Sequence, residues 1–359
     1  MHSNKGIVRT LKYVAPLLTT LLLVLVWWSV AAQEFSLPNA PNSVKFAVIG
    51  DAGTGDSPQF EIANQMVQFH RTFTFDRVIM LGDNIYGGQG PQDLVKKFSK
   101  PYQALLDSGV KFYASLGNHD DPANRKYPLW NMDGNLYYSH ATKNVRFFAL
   151  DSNQVDRREL AWLENALKSA PEDWKICYFH HPIYSDGGTH GSSVDVRVLF
   201  EPLFVANGVS VVFAGHDHIY ERLTPQKGIL YFVEGASGQL RRGDTKRSAM
   251  TARAFDQDVS FMLVEIEGNR LAFQVVSRTG ATVDSGSFQR RRSHWLTRTT
   301  SDRFMLVQGG VCETVVKRTF LTSVKQMCYE KKSSSLTGNS NVRRIGLDLV
   351  RFAERKATI

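Results

Sequence analysis

The chain has 359 residues, of which 43% are hydrophobic and 21% are charged, and its formal net charge is +9. This length and composition exclude a disordered chain and leave room for one large α/β domain with terminal additions. The basic charge lies at the two ends, because residues 1–32 carry +3 and residues 289–359 carry +10. About −4 is left for the residues between them, so the charge does not indicate nucleic-acid binding by the middle of the chain.

The N-terminus has the pattern of an export signal. Three basic residues precede the nearly uninterrupted apolar run 13–32, and Val30 and Ala32 suit the −3 and −1 positions of a cleavage site. The run is also about as long as the roughly 20 residues that a membrane span requires. We therefore predict a signal peptide or a signal anchor over residues 1–32. The protein is expected to be exported, as a periplasmic, secreted or membrane-anchored protein on the non-cytoplasmic side.

The middle of the chain alternates between two periodicities after a polar stretch, residues 33–43, that is interpreted as a linker. Strands are predicted at 44–49, 77–81, 111–116, 146–150, 175–179 and 209–213, and helices at 58–70, 91–106, 160–167 and 196–203. Further strands are predicted at 229–233, 261–266, 271–276 and 281–288. Alternating strands and helices followed by a strand-rich half predict a layered α/β domain with packed sheets.

The C-terminal residues 289–359 carry 15 Lys/Arg and 5 Asp/Glu and contain no motif. They are interpreted as a basic extension of unknown role, and salt-dependent binding of nucleic acid is one auxiliary hypothesis for them. Cys312 and Cys328 lie in this extension and could pair in an exported chain. Cys177 lies in an apolar strand and is predicted to be an inert core residue.

Polar clusters recur at the ends of the predicted apolar strands. In chain order they are VIGDAGTG, MLGDNIYGG, SLGNHDD, YFHHP and FAGHDHIYE. Side chains at the ends of distant strands can converge in one crevice. Each cluster alone is a weak signal, but five of them in strand-end positions predict one shared site. The candidate metal ligands are Asp51, Asp83, Tyr86, Asn118, His180, His216 and His218.

This set of side chains suits two metal ions. Aspartates supply negative charge and one of them can bridge, while imidazoles and an amide oxygen complete two N/O shells. Such shells favour iron, zinc or manganese over calcium. Two cations close together can hold a hydroxide and neutralise a phosphate during in-line attack. A histidine beside the metals can protonate the leaving oxygen. The sequence therefore predicts a two-metal phosphoesterase.

The order GD, GDxxY, GNHD, xxxH and GHxH resembles the calcineurin-like metallophosphoesterase superfamily. Within it, the chain is similar to the small purple (tartrate-resistant-type) acid phosphatases, because GDNIY includes Tyr86. The resemblance covers about residues 44–288, which would form the catalytic domain. It implies an α/β fold, a calcineurin-like β-sandwich of two mixed sheets flanked by helices. It also implies a small phosphate-ester substrate, with no nucleic acid expected for this domain.

The resemblance also implies the metal cofactors and their ligands. Two metal ions are expected, Fe(III) with a divalent partner that is Fe, Zn or Mn. By resemblance, ferric iron would be held by Asp51, Asp83, Tyr86 and His218. The divalent ion would be held by Asp83, Asn118, His180 and His216, so that Asp83 bridges. Tyr86 would bind iron as the phenolate and give a visible charge-transfer band.

Further roles carried over from the family concern the substrate. His119 would protonate the leaving group, and Asp120 would orient His119. Asn118, beside its metal, and His190 in GGTHGSS would approach the bound phosphate. The family pattern places the ligand two residues before a proline and so selects His180, which leaves the adjacent His181 as part of the pocket wall.

The function predicted from these motifs is that of an acid phosphatase. A metal-bound hydroxide would attack phosphomonoesters with His119 as proton donor, and no phosphoenzyme would form. An acidic optimum is expected, because ferric iron strongly lowers the pKa of bound water. A phosphodiesterase on the same site is the alternative, since pocket shape decides between the two. A non-catalytic phosphate-binding module would be expected to have a broken ligand set, but all seven ligands and His119 are present.

Overall fold

Two mixed β-sheets form the centre of the computed structural model, which describes residues 37–290. The strands are β1 (Val44–Ile49), β2 (Arg77–Leu81), β3 (Lys111–Ser115), β4 (Tyr138–Thr142), β5 (Val145–Ala149), β6 (Trp174–Phe179), β7 (Val211–Ala214), β8 (Tyr220–Leu223), β9 (Leu230–Glu234), β10 (Thr251–Phe255), β11 (Ser260–Glu267), β12 (Arg270–Ser277) and β13 (Thr282–Gln289). The first sheet has the order β13-β12-β11-β1-β2-β3 and the second has the order β10-β8-β9-β7-β6-β5-β4.

Helices cover the outer faces of the two sheets. They are α1 (Ser57–His70), α2 (Pro91–Leu94), α3 (Lys100–Asp107), α4 (Arg157–Ser169) and α5 (Val194–Ala206). A π-helical turn, Val95–Ser99, joins α2 to α3, and 3₁₀ turns occupy Pro122–Lys126 and Pro128–Trp130. Helix α4 begins where the Asp156 carboxylate accepts the backbone N–H groups of Arg158 and Glu159, both at 2.8 Å.

The hydrophobic core lies in three layers. The central layer fills the space between the sheets and contains edge-to-face aromatic pairs such as Phe46 and Phe147, with ring centroids 5.1 Å apart. A second layer packs α1 and α3 on the first sheet, and a third packs α4 and α5 on the second sheet. The arrangement is a β-sandwich of two mixed sheets flanked by helices, which confirms the predicted α/β fold.

The parallel strands direct their carboxyl ends to a common edge. In the first sheet β1, β2 and β3 are parallel, and in the second β5, β6, β7 and β9 are parallel. Five of these strands end immediately before one of the polar clusters of the sequence, at Ile49, Leu81, Ser115, Phe179 and Ala214. The fold therefore brings segments that are 165 residues apart in the chain to one rim of the sandwich.

The elements predicted from periodicity are present, with two kinds of difference. The predicted helix 91–106 is divided by the π-helical turn, and strands β4, β8 and β10 had no prediction. Strand β8, YERL, is almost entirely buried and includes Glu221 at 0% exposure, so its sequence shows neither an apolar run nor an alternation of apolar and polar residues. Cys177 is fully buried in β6, as predicted.

The segment before β1 contacts the domain where the structure describes it. Leu37 is 9% exposed and packs in the outer core layer of the first sheet. The backbone N–H groups of Asn39 and Ala40 each donate a 2.6 Å hydrogen bond to the Glu265 carboxylate. Residues 37–43 of the predicted linker are thus tied to β11.

Several predictions fall outside residues 37–290. These are the signal or anchor at 1–32, the Cys312–Cys328 pair and nearly all of the basic extension. Within the described range, no helix has the length and apolar character needed to cross a bilayer. The apolar run 13–32 is not part of that range.

Candidate metal centre

Sharp turns at the strand ends aim the candidate ligands into the rim. Asp51, Asp83 and His216 have φ angles of 53°, 50° and 70°, which is the left-handed region that side chains other than glycine rarely adopt. Each follows a glycine that comes directly after its strand. Non-glycine residues in this region cluster at functional sites, where the surrounding structure holds them.

One glycine shows how closely the loops approach each other. A Cβ atom at Gly117 would lie 2.2 Å from Oδ1 of Asp83 and 2.3 Å from its backbone nitrogen. The third motif can therefore meet the second only without a side chain at this position.

The first ligand group joins two acids, an imidazole and a phenol. Ligand atoms of Asp51, Asp83 and His218 lie within 4.8 Å of one another. The Tyr86 hydroxyl lies 3.1 Å from Oδ1 of Asp51 and 3.2 Å from Nε2 of His218. The structure thus brings together the four residues predicted to share one metal.

The second ligand group centres on His180. Its Nε2 lies 3.0 Å from Oδ1 of Asn118, 3.0 Å from Nδ1 of His216 and 3.4 Å from Oδ1 of Asp83. Asp83 is therefore close to both groups, as expected of a bridging carboxylate. His181 joins as an additional imidazole, because its ligand atom lies within 4.8 Å of those of His180 and His216.

Hydrogen bonds fix the orientation of several ligands. Nδ1 of His180 lies 2.9 Å from the Leu81 carbonyl oxygen. Because a carbonyl only accepts, Nδ1 carries the proton and the lone pair of Nε2 faces the rim. The backbone N–H of His119 donates to Oδ1 of Asp83 at 2.9 Å.

The electrostatics of the site fit cations. Burial and the neighbouring Asp83 raise the pKa of Asp51, and no Lys or Arg within residues 37–290 forms an ion pair with either acid. Burial and neighbouring imidazoles lower the pKa of His216 to about 2, and burial and Arg241 lower that of His218 to about 4. Neutral imidazoles are the form that binds metals. A buried carboxylate that has no cationic side chain beside it is suited to coordinate a metal ion.

Burial and the neighbouring carboxylates also affect the Tyr86 hydroxyl. Burial and the carboxylates of Asp51 and Asp83 raise the pKa of its hydroxyl. A phenolate is therefore disfavoured here unless a cation lies next to it. The donor set of carboxylates, imidazoles, an amide oxygen and a phenol suits transition metals.

Asp120 connects two of the loops. Its Oδ2 accepts hydrogen bonds from the backbone N–H groups of Asn84 and Gly117 and from the Asn84 side chain, and its Oδ1 accepts from the N–H of Ile85. Between residues 37 and 290, no hydrogen bond joins the side chains of Asp120 and His119. That Asp120 orients the His119 imidazole therefore stays a prediction.

The predicted substrate-facing residues border the open side of the two groups. Asn118 and His119 are exposed, and the His119 ring lies 4.9 Å from the Tyr86 ring between centroids. His190 is also exposed, and its ring lies 4.1 Å from that of His216. A phosphate bound at the rim would meet side chains from three motifs.

Two supporting residues were not predicted from the sequence. Lys97, on the π-helical turn, donates from Nζ to the carbonyl oxygens of Tyr86 (2.6 Å) and Gly88 (3.0 Å) and to Asp93 (2.8 Å). It therefore holds the loop that carries Tyr86. A π-helical turn near a site is a common functional feature, but no sequence pattern marks it.

Asp217 supports the loop of His190. It lies between the two ligands of the fifth motif, and its carboxylate accepts hydrogen bonds from the Ser185 hydroxyl (2.6 Å) and the Gly191 N–H (3.2 Å). The GHDH motif could have indicated it, since a buried acid between two ligands needs partners.

Comparison with known proteins agrees with this geometry. The family model of the calcineurin-like phosphoesterases matches residues 44–220. The human tartrate-resistant acid phosphatase type 5 is 27% identical over 252 residues, which cover 57% of this chain and 77% of that protein.

Two solved structures share the fold. GAP50, described as the anchor in the inner membrane complex of Plasmodium, has a TM-score of 0.61 at 19% identity, covering 70% of this chain and 90% of that one. The purple acid phosphatase PPD1 from yellow lupin (Lupinus luteus) seeds has a TM-score of 0.61 at 18% identity, and the match covers 71% of this chain and 55% of that one. The chain thus carries a calcineurin-like phosphoesterase domain related to the purple acid phosphatases, and it is a hydrolase that acts on phosphoric ester bonds.

Proposed function

We propose that the protein is an exported acid phosphatase that hydrolyses phosphomonoesters at a dinuclear metal centre. The observation that carries the proposal is the position of Asp83, whose Oδ1 lies 3.4 Å from Nε2 of His180 while its carboxylate also belongs to the group of Asp51 and His218. One carboxylate shared by two ligand groups is the arrangement that two adjacent cations require.

The chain offers separate residues for each cation. The first would be held by Asp51, Asp83, Tyr86 and His218, and the second by Asp83, Asn118, His180 and His216. Tyr86 favours ferric iron at the first position, with a divalent Fe, Zn or Mn at the second. When bound, such a pair would supply an activated water and would neutralise the phosphate.

The remaining steps fall to side chains at the open edge. Asn118 and His190 would contact the phosphate oxygens, and His119 would donate a proton to the leaving oxygen. Exposure of His119 beside Tyr86 supports this role, because a proton donor must reach the substrate without being a ligand. The carboxylates and imidazoles of the rim are engaged in the ligand groups, which favours direct attack by water over a phosphoenzyme.

The experiment is the hydrolysis of an aryl phosphomonoester and an aryl phosphodiester by the exported protein loaded with iron and a divalent metal. Turnover of the monoester at acidic pH is expected. His119→Ala should lower it about 10²- to 10⁴-fold while the metal content stays unchanged. Ferric iron bound to Tyr86 should give a visible absorption band that Tyr86→Phe abolishes.

Two other results would change the assignment. Faster turnover of the diester would make the protein a phosphodiesterase on the same site. A folded, metal-loaded protein that cleaves neither ester would contradict catalysis and favour a binding module. GAP50, which shares this fold, is described as an anchor.

A further inference from the structure

The segment 239–247, QLRRGDTKR, is attached to the backbone of the ligand loops. The N–H of Gln239 donates to the carbonyl oxygen of Asp51 at 3.1 Å, and the N–H of Arg241 donates to that of His218 at 2.9 Å. The main chain of Arg241 is therefore held directly beside a candidate ligand of the first group.

The same segment is bonded to the loop of His190. The N–H of Gly188 donates to the Asp244 carbonyl oxygen at 2.6 Å, and the Thr189 hydroxyl donates to the Asp244 carboxylate at 2.9 Å. The N–H of Lys246 donates to the Asp186 carbonyl oxygen at 2.9 Å. Segment 239–247 and the loop 185–191 therefore form one continuous wall of the site.

This wall is basic in a domain that is slightly acidic. Segment 239–247 has four Lys/Arg and a single acid, Asp244, whereas residues 33–288 carry about −4. The carboxylate of Asp244 already accepts the N–H and the hydroxyl of Thr189. The acid of the segment is thus used to hold the loop of His190.

Arg241 differs from the other basic residues of this segment in burial, because it is half-buried whereas Arg242, Lys246 and Arg247 are exposed. Throughout residues 37–290 its guanidinium forms neither an ion pair nor a hydrogen bond, and its Nη1 is shielded from solvent without a partner. A half-buried cation without a partner is costly, and an anion from outside the chain would relieve that cost.

We propose that Arg241 forms a second anion subsite, which binds an additional phosphoryl group carried by the substrate next to the scissile one. The subsite rests on the proposed phosphatase function. The scissile phosphate would be neutralised at the ligand groups, whereas Arg241 belongs to the adjoining wall, where its backbone N–H contacts the His218 carbonyl oxygen. A guanidinium binds phosphate oxygens in a bidentate manner, which makes it selective for such a group.

The test compares pyrophosphate with an aryl monophosphate in the metal-loaded full chain. Arg241→Gln should lower kcat/KM for pyrophosphate about tenfold to a hundredfold, because a charge-assisted contact is lost. It should lower kcat/KM for the aryl phosphate by a smaller factor, because that substrate carries no second phosphoryl group. Arg242→Gln is the matched control, since this neighbouring arginine is exposed, and it should preserve both values. Arg241→Lys keeps the positive charge but loses the planar guanidinium that can bind phosphate through two N–H groups. It should give an intermediate kcat/KM for pyrophosphate.

Binding measured by calorimetry separates this proposal from the proposed function. The wild-type protein should bind pyrophosphate more tightly than inorganic phosphate, and Arg241→Gln should remove most of that difference. Equal losses for both substrates, or equal binding of both anions by the wild type, would overturn the subsite. If the wild type hydrolyses neither substrate, the phosphatase function fails, while the two binding constants still decide the role of Arg241. If Arg241→Gln does not fold, Arg241→Lys decides, and a pyrophosphate affinity unchanged in it would refute bidentate binding.

Discussion

The backbone N–H of His216 donates a 2.8 Å hydrogen bond to Oδ2 of Asp51, although the two residues are 165 positions apart in the chain. The other oxygen, Oδ1, lies 3.1 Å from the Tyr86 hydroxyl and 3.3 Å from Nε2 of His218. One buried carboxylate thus connects the first, second and fifth motifs. Hydrogen bonds within the protein itself thus orient these proposed ligands.

Replacement of Asp51 should remove the first metal. Asp51→Asn keeps the shape but loses the charge and turns one acceptor into a donor, so we expect one metal ion fewer per chain. The wild type should gain about 2.7 kcal/mol of stability at a metal concentration of 100 Kd, and the variant should gain less. Elemental analysis and thermal denaturation with and without metal measure both effects. Asp56→Asn, at an exposed acid nearby, is the control, and two tightly held metals in Asp51→Asn would contradict the ligand assignment.

A methyl group at Gly117 should displace the proposed bridging ligand. In Gly117→Ala the new Cβ would overlap Oδ1 and the backbone nitrogen of Asp83, at 2.2 and 2.3 Å, and a backbone atom cannot move cheaply. We expect lower metal content, a reduced melting temperature and activity below that of His119→Ala. Gly90→Ala is the matched control, because its nearest neighbour is an Asp93 oxygen at 3.7 Å. Wild-type metal content in Gly117→Ala would show that Asp83 does not need its present position.

Asp120 should act on stability as well as on catalysis. In Asp120→Asn an amide would replace an acceptor of the N–H groups of Asn84, Ile85 and Gly117, and we expect a loss of about 2–4 kcal/mol in the free energy of unfolding. His119→Ala should lose activity without this loss. Urea denaturation and kinetics of both variants, with Asp121→Asn as control, distinguish the two cases. If Asp120→Asn lowers only the rate, orientation of His119 becomes its main role.

The sequence was sufficient to locate the polar clusters that meet at the rim, because they follow apolar strands in an order that resembles a known family. Asp51, Asp83 and His216 each occupy a turn directly after a strand, and parallel strands bring such turns to one edge. The periodicity that marks buried strands is local, so it can be read without knowledge of the partners. Strand β8 was missed because Glu221 is buried within it.

The supporting residues could not be predicted in the same way. Lys97 reaches the Tyr86 carbonyl only because a π-helical turn interrupts the predicted helix 91–106. Arg241 contacts the His218 backbone across a loop that has no periodicity. Such contacts depend on main-chain positions in three dimensions, and residue type gives no indication of them. The placement of His181 next to His216 is likewise a geometric fact, since the motif alone indicates only His180.

Glu159 should make the stability of the domain depend on pH. It lies in the first turn of α4 at 1% exposure, where one oxygen accepts the Asp151 N–H at 2.8 Å and the other has no partner within the described residues. Burial raises the pKa of its carboxyl group from 4.5 to about 8. Between these values the unfolded chain releases the proton and the folded protein keeps it. The free energy of unfolding therefore falls as the pH rises, by up to about 1.4 kcal/mol per pH unit.

Glu159→Gln tests this effect, because a neutral amide has no proton to lose. Urea denaturation at pH 5, 6.5 and 8 should show the wild type losing stability relative to the variant as the pH rises. The difference between the two proteins isolates Glu159 from other buried acids such as Glu234, whose pKa burial also raises to about 8. Glu164→Gln, at an exposed position of the same helix, should follow the wild type at every pH. If the free energies of unfolding of the wild type and Glu159→Gln changed equally with pH, Glu159 would be ionised in the folded protein, and the predicted pH dependence would be wrong.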